Sequence, residues 1–130
     1  MDGTQPRALV IDDEKHLRSL LCELLAVWGV RADAAANGVD ALRLFERGAY
    51  DVVLTDLVMP GVSGLDVIRN VRQRDRRVGV IMLTASAADL VNEQDRLGFT
   101  LLHKPVDFRG LEAAVRQALA SLSTNEALSE

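Results

Sequence analysis

Four polar stretches, far apart in the chain, each follow an apolar run, and their residue types could together do phosphoryl chemistry. Asp12-Asp13 follow Ala8-Leu9-Val10-Ile11, and Asp56 follows Val52-Val53-Leu54-Thr55. Thr84 follows Val80-Ile81-Met82-Leu83, and Lys104 follows the short run from Thr100. Three carboxylates gathered in one pocket repel each other, and at neutral pH they take up a proton or bind a cation. Hard oxygen ligands that are few and clustered suit Mg2+, which keeps waters and shares its coordination with a phosphate. Lys104 adds a mobile positive charge for an anionic ligand, and Thr84 a hydroxyl donor. These parts best support phosphoryl transfer to a carboxylate. Asp56 is the expected acceptor, because Asp12 and Asp13 form an adjacent pair suited to the metal.

That chemistry needs elements to bring the four stretches together. Val52-Val53-Leu54 does not alternate and reads as a strand buried on both faces. Pro60-Gly61 then separates Asp56 from the next helix, so a simple capping role for this acid is the weaker reading. Leu17, Leu20, Leu21, Leu24, Leu25 and Trp28 form a helical stripe that Gly29 ends. Val30, Ala32 and Ala34 alternate with Arg31 and Asp33 as in an edge strand. Asn37-Gly38 with Asp40 starts a second helix, its face given by Val39, Leu42 and Phe45. Ser63 and Asp66 are spaced as a capping box for a third helix with Leu65, Ile68 and Val71. Residues 73–77 read as a solvated helix end. Ser86 with Asp89 starts a fourth helix whose apolar positions, Leu90, Val91 and Leu97, are sparse. Asp107 can cap a fifth, where Leu111, Ala114, Val115, Ala118, Leu119 and Leu122 repeat the stripe; residues 123–130 read as a frayed polar tail.

Strands and helices therefore alternate five times with short links, which demands right-handed crossovers and a parallel sheet covered on both faces. The expected fold is α/β, a flavodoxin-like (βα)5 doubly wound sheet of order 2-1-3-4-5. In that order the first and third strands are neighbours, and all the polar strand ends converge on one crevice. Residues 1–130 are expected to form a single domain with its core at about 7–122.

Composition narrows the function classes. The chain has 130 residues, 48% hydrophobic and 26% charged, enough for one good core. A net charge of −4 argues against a surface built for nucleic-acid phosphates or anionic lipid. One cysteine, Cys22, rules out an internal disulfide framework and fits a reducing compartment. No apolar run reaches membrane-spanning length, and Met1-Asp2-Gly3 does not read as a signal peptide. A cytoplasmic location is expected.

Asp12-Asp13, Asp56 with Pro60 and Gly64 after it, Thr84-Ala85 and Lys104-Pro105 together resemble the receiver domains of two-component response regulators, over roughly residues 7 to 122. The resemblance implies that Asp56 takes a phosphoryl group from a sensor histidine kinase or histidine phosphotransfer protein. It implies that Asp13, Asp56 and the backbone carbonyl of Val58 bind Mg2+, with Asp12 acting through water. Thr84, Lys104 and the backbone N–H of Ala85 would contact the phosphoryl group, and the Lys104-Pro105 peptide would be cis. Such a protein switches a downstream output protein or domain and turns over no outside substrate. Neither direct nucleic-acid binding nor membrane binding is implied.

Departures from the family pattern carry their own expectations. Leu101 stands where the family usually has Tyr or Phe, which puts the usual aromatic switch in question. The acidic pair typical of regulators that dimerise through their last elements is missing, and the stretch around Lys104 looks like receivers fused to hybrid histidine kinases. Val58 and Ser86 flank the site and neither is suited to positioning a hydrolytic water, so slow self-dephosphorylation is expected.

Other readings compete with this one. Asp12 and Asp13 alone could be helix caps, but beside Asp56 and Lys104 a functional role is expected. His16 and His103 read as surface residues, Cys22 and Trp28 as packed helix residues. An aspartate-dependent phosphatase of the haloacid dehalogenase type would want an Asp where Val58 stands. A degenerate receiver, acting as a phosphorylation-independent interaction module, is the alternative. Whether the chain is a stand-alone regulator or part of a longer protein is left open by the sequence.

Overall fold

Five strands alternate with five helices in the computed structural model, which describes residues 5–85 and 89–128, with side chains through 121. In chain order they are β1 (Arg7–Ile11), α1 (Lys15–Val27), β2 (Arg31–Ala35), α2 (Gly38–Arg47) and β3 (Val52–Asp56). There follow α3 (Gly64–Arg74), β4 (Gly79–Thr84), α4 (Val91–Leu97), β5 (Thr100–His103) and α5 (Phe108–Leu128). Ser86, read above as a helix start and site neighbour, and the Leu122 side chain lie outside the described residues.

All strand pairs are parallel, and the order is β2-β1-β3-β4-β5, the doubly wound arrangement expected. The apolar runs without alternation became the central strands. Every residue of β3 is buried, because helices cover both of its faces. Leu9, Ile11, Val53 and Met82 face a core that α2 and α3 complete with Phe45 and Ile68. Val10, Leu54 and Ile81 face the other way, against Leu21 and Leu25 of α1 and Leu111 of α5.

Several helix faces differ from the sequence reading. Leu20 and Val39 are exposed, at 37% and 49%. The buried positions are Leu21 and Leu25 in α1, and Gly38, Ala41 and Phe45 in α2. Helix α2 turns Gly38, Ala41 and Phe45 inward, with Gly38 against Val62 and Val67 at α3, and Val39 is turned outward. In β2, Ala34 is exposed and Ala35 buried, so the alternation seen in the sequence slips at the strand's end. Val67 joins Ile68 and Val71 as a buried residue of α3.

Asn37 caps α2 and Ser63 caps α3, each side chain accepting from the backbone N–H three residues on. Asp66 does not complete a box; its carboxylate takes the Arg69 guanidinium at 3.0 Å. Helix α5 runs to Leu128, past the polar tail expected from residue 123. That stretch contains no Gly or Pro, and Glu126, Ala127 and Leu128 are strong helix formers.

Ile81 is fully buried at the centre of the sheet. Ile81→Ala should cost about 2–5 kcal/mol, whereas Val91→Ala, at a site 60% exposed, should stay within about 0.5 kcal/mol. Urea unfolding midpoints of the two variants check this.

Candidate functional site

Strand register builds the site. Ile11 pairs with Thr55, so Asp12, the next residue, comes level with Asp56. Asp56 pairs with Leu83, and Thr84 therefore lies one step further out. Thr84 pairs with His103, and the backbone N–H of Lys104 donates to the Thr84 carbonyl at 2.9 Å. Four residues far apart in sequence thus end at one edge of the sheet, at the carboxyl ends of its strands.

The side chains meet there. Lys104 Nζ lies 3.1 Å from Asp56 Oδ2 and 3.3 Å from Asp12 Oδ2. Asp12 and Thr84 are 1% exposed and Asp56 8%. Asp13 is exposed beside them, and one carboxylate oxygen from each of Asp12, Asp13 and Asp56 lies within 4.8 Å of the others. Burial of the Lys104 ammonium pulls its pKa down. The hydrogen bond to Asp56 and the charges of Asp12 and Asp56 outweigh that and raise it above its ordinary 10.5.

Local structure fixes each acid. Asp12 Oδ1 accepts from the backbone N–H of Glu14 at 2.8 Å, and the Asp12 carbonyl accepts from Arg18 Nη1 at 2.8 Å. Capping of α1 falls to Glu14, whose carboxylate accepts from the N–H groups of His16 and Leu17. The capping role that might have explained Asp12 and Asp13 is therefore filled by another residue. On the other side, Gly64 N donates to the Leu57 carbonyl at 2.8 Å. A Cβ on Gly64 would run into the backbone carbonyl of Asp56, so the turn after the acid closes only because residue 64 has no side chain.

Asp12, Asp13, Asp56, Thr84 and Lys104 are all brought to this crevice. Ala85 sits exposed at its mouth directly after Thr84, and Val58, 66% exposed, directs its N–H toward Asp56 Oδ1 at 3.4 Å. Leu101 lies away from the acids, partly buried against the core that α2 and α3 share. The Lys104-Pro105 peptide is cis. His16 and His103 are exposed, and Cys22 and Trp28 are half-buried against the core beneath α1. Glu14 and Arg18 were missed by sequence reasoning. Their signal was position alone, two and six residues beyond Asp12 at the start of a helix.

Three clustered carboxylates, all oxygen donors, fit a hard divalent cation, and one flank is already met by the ammonium. The remaining open side of the cluster is toward Asp13 and solvent.

Residues 8–116 match the family model described as response regulator receiver domain. The chain is 32% identical over 115 residues to sporulation initiation phosphotransferase F of Bacillus subtilis (strain 168), covering 87% of this chain and 93% of that protein. It is 36% identical over 115 residues to regulatory protein AtoC of Escherichia coli (strain K12), covering 87% of this chain. Only 25% of AtoC is covered, so the chain spans a quarter of that relative's length. The crystal structure of response regulator protein TrrA from Thermotoga maritima in complex with Mg(2+)-BeF matches at TM-score 0.81 and 36% identity, covering 88% of this chain and 99% of that one.

Because folding raises the Lys104 pKa, its contribution to stability is complete below the ordinary value of 10.5 and is lost as pH climbs through the raised one. Lys104→Met should therefore lower stability at neutral pH. The loss should lie between the ~0–1 kcal/mol of an exposed ion pair and the ~3–5 kcal/mol of a broken buried one. The gap between variant and wild type should be flat up to about pH 9 and narrow above 10.5. Urea midpoints across that range check the sign.

Proposed function

The chain belongs to the response regulator receiver family of two-component signalling, and from that premise we propose that it is a phosphorylation-driven switch whose acceptor is Asp56. Receiver domains act with histidine kinases and output domains and are regulatory rather than classical enzymes. The observation that carries the reading is the Lys104 ammonium held within 3.1 Å of Asp56 and 3.3 Å of Asp12. A buried acid calls for a partner in any case; the feature that supports a site is that one ammonium reaches across an intervening strand to serve two acids at once.

In the proposed transfer, one Asp56 oxygen forms a P–O bond as the P–N bond of a phosphohistidine breaks. The departing imidazole nitrogen takes up a proton from solvent. The donor is a sensor histidine kinase or a histidine phosphotransfer protein. Lys104 exchanges a carboxylate partner for a phosphoryl oxygen, and its charge stabilises the anion that Asp56 gains. The Thr84 hydroxyl and the backbone N–H of Ala85 donate to other phosphoryl oxygens. Asp13, Asp56 and the Val58 carbonyl would hold Mg2+, with Asp12 acting through water. The bound ion supplies neutralisation of charge on the equatorial oxygens. The relative from Thermotoga maritima, described in complex with Mg(2+)-BeF, supports that choice of ion.

Phosphorylation would bias an existing equilibrium at the surface of α4, β5 and α5, which a downstream partner reads. Leu101 offers no ring for an aromatic switch, so that readout would depend on aliphatic packing and on α4. The alternative, an interaction module indifferent to phosphorylation, gives no account of one ammonium bridging two buried acids.

Incubating the full chain with acetyl phosphate and MgCl2 should add the mass of one phosphoryl group, and Asp56→Asn should abolish the gain. An unaltered intact mass, or a gain that Asp56→Asn retains, overturns the assignment. The Val58 side chain is exposed and apolar and has no group with which to hydrogen-bond a water in line with phosphorus. Once donor is removed, the phosphoryl group should therefore persist far longer than its loading takes. Loss as fast as loading would refute this.

A further inference from the structure

Helix α4 is held differently from the other four helices. None of its seven residues is buried, and its N-cap, Leu90, supplies no side-chain bond. Asp89 Oδ1 accepts from Val91 N at 3.2 Å, and the Leu90 side chain is buried in the core beneath α3. A groove of about 650 Å³ opens between the carboxyl halves of α3 and α4, lined by Arg69, Arg76, Glu93 and Asp95 among others. Apart from Leu97, which is partly buried against that core, side-chain packing does not close this joint.

Arg72 crosses it. From α3, its Nε donates to the Leu97 carbonyl at 2.6 Å and its Nη2 to the Gly98 carbonyl at 2.9 Å. Its Nη1 donates to the Val78 carbonyl at 2.6 Å, just before β4. The carbonyls of Leu97 and Gly98 belong to the end of α4, where a helix leaves acceptors without intrahelical partners. Gly98 closes that end in the left-handed conformation, at φ 70°. A guanidinium can serve several such acceptors at once through its planar fork, which an ammonium cannot copy. Burial lowers the Arg72 pKa, partly offset by the charge of Asp75, yet the group is held there by carbonyl oxygens.

We propose that Arg72 is the positioning residue of α4, pinning its carboxyl end to α3 and to the start of β4, so that rearrangement on phosphorylation is carried by its amino end. The pinning stands on the unmodified chain; the second clause rests on Asp56 being the acceptor. A helix fixed at Leu97 and Gly98 moves most at Leu90 and Val91. Leu90 is 7% exposed and Val91 60%. Lifting Leu90 would join the two into an apolar patch that a partner could read only in one state.

Hydrogen exchange of the full chain tests this, without and then with Mg2+ and beryllofluoride, for wild type, Arg72→Met and Arg72→Lys. Without addition, Arg72→Met should speed exchange at the Gln94 and Gly98 amides about tenfold, with the Val30 amide unmoved. Arg72→Lys should share most of that loss, since it keeps the charge but not the fork, and it carries the comparison if Arg72→Met does not fold. With beryllofluoride, wild type should change at Val91 and not at Gly98, and the variants at both. An unmoved Gly98 amide in the variants, or a wild-type Gly98 that responds as much as Val91, overturns the proposal. If beryllofluoride shifts no amide in wild type, the acceptor reading fails, and the pinning is decided by the unmodified chains alone.

Discussion

One carboxylate oxygen from each of Asp12, Asp13 and Asp56 lies within 4.8 Å of the others, and two of these acids are almost wholly buried. Like charges so close raise each other's energy unless something positive stands among them. The chain supplies one ammonium, Lys104, and places it between the two buried acids. The remaining excess of negative charge is what makes the site receptive to a cation. A fully neutralised cluster would be a better structural element and a poorer site. An underneutralised cluster is thus a cost to the fold, and the rest of it must be stable enough to carry that cost.

Stability comes from the sheet. Residues of β1, β3 and β4 are buried on both faces by two separate cores, so the strand ends are set by packing and by register. Because Ile11 pairs with Thr55 and Asp56 with Leu83, the acids cannot shift without dragging whole strands. The approach of Gly64 to the Asp56 carbonyl closes the turn behind that acid. Acidic repulsion is therefore borne by backbone that apolar burial holds in place, and the two terms do not compete at the same residues.

Much of this was legible in the sequence, for a physical reason. Central strands of a parallel sheet are apolar throughout, so the runs at residues 8–11, 52–54 and 80–83 could be little else, and polar residues at their ends had to converge. Helix faces were less legible. Leu20 and Val39 fit a 3.6-residue stripe yet are exposed, because the buried face is narrower than the stripe and α2 buries Gly38, Ala41 and Phe45 instead. Glu14 takes the cap of α1, which hydropathy could not distinguish from its acidic neighbours. Arg72 was illegible for a different reason. Its partners are carbonyl oxygens, and main-chain acceptors leave no trace in residue types.

Lys104 is carried by an edge strand, and this has a consequence for signalling. From β5 its side chain must reach across β4 to β3, ~10 Å at two strand spacings, which leaves room only for small residues at the end of β4; Thr84 and Ala85 stand there. Strand β5 is only half-buried and pairs on one side alone. Its position depends on the β4 ladder, including the bond from Lys104 N to the Thr84 carbonyl, and on what packs over Leu101 and Leu102. Any change in the partner of the ammonium is thus applied to an edge strand. Helix α4, which precedes that strand, is the helix with no buried residue. The fold therefore places the ammonium on an edge of the sheet and Asp56 on a strand buried along its whole length.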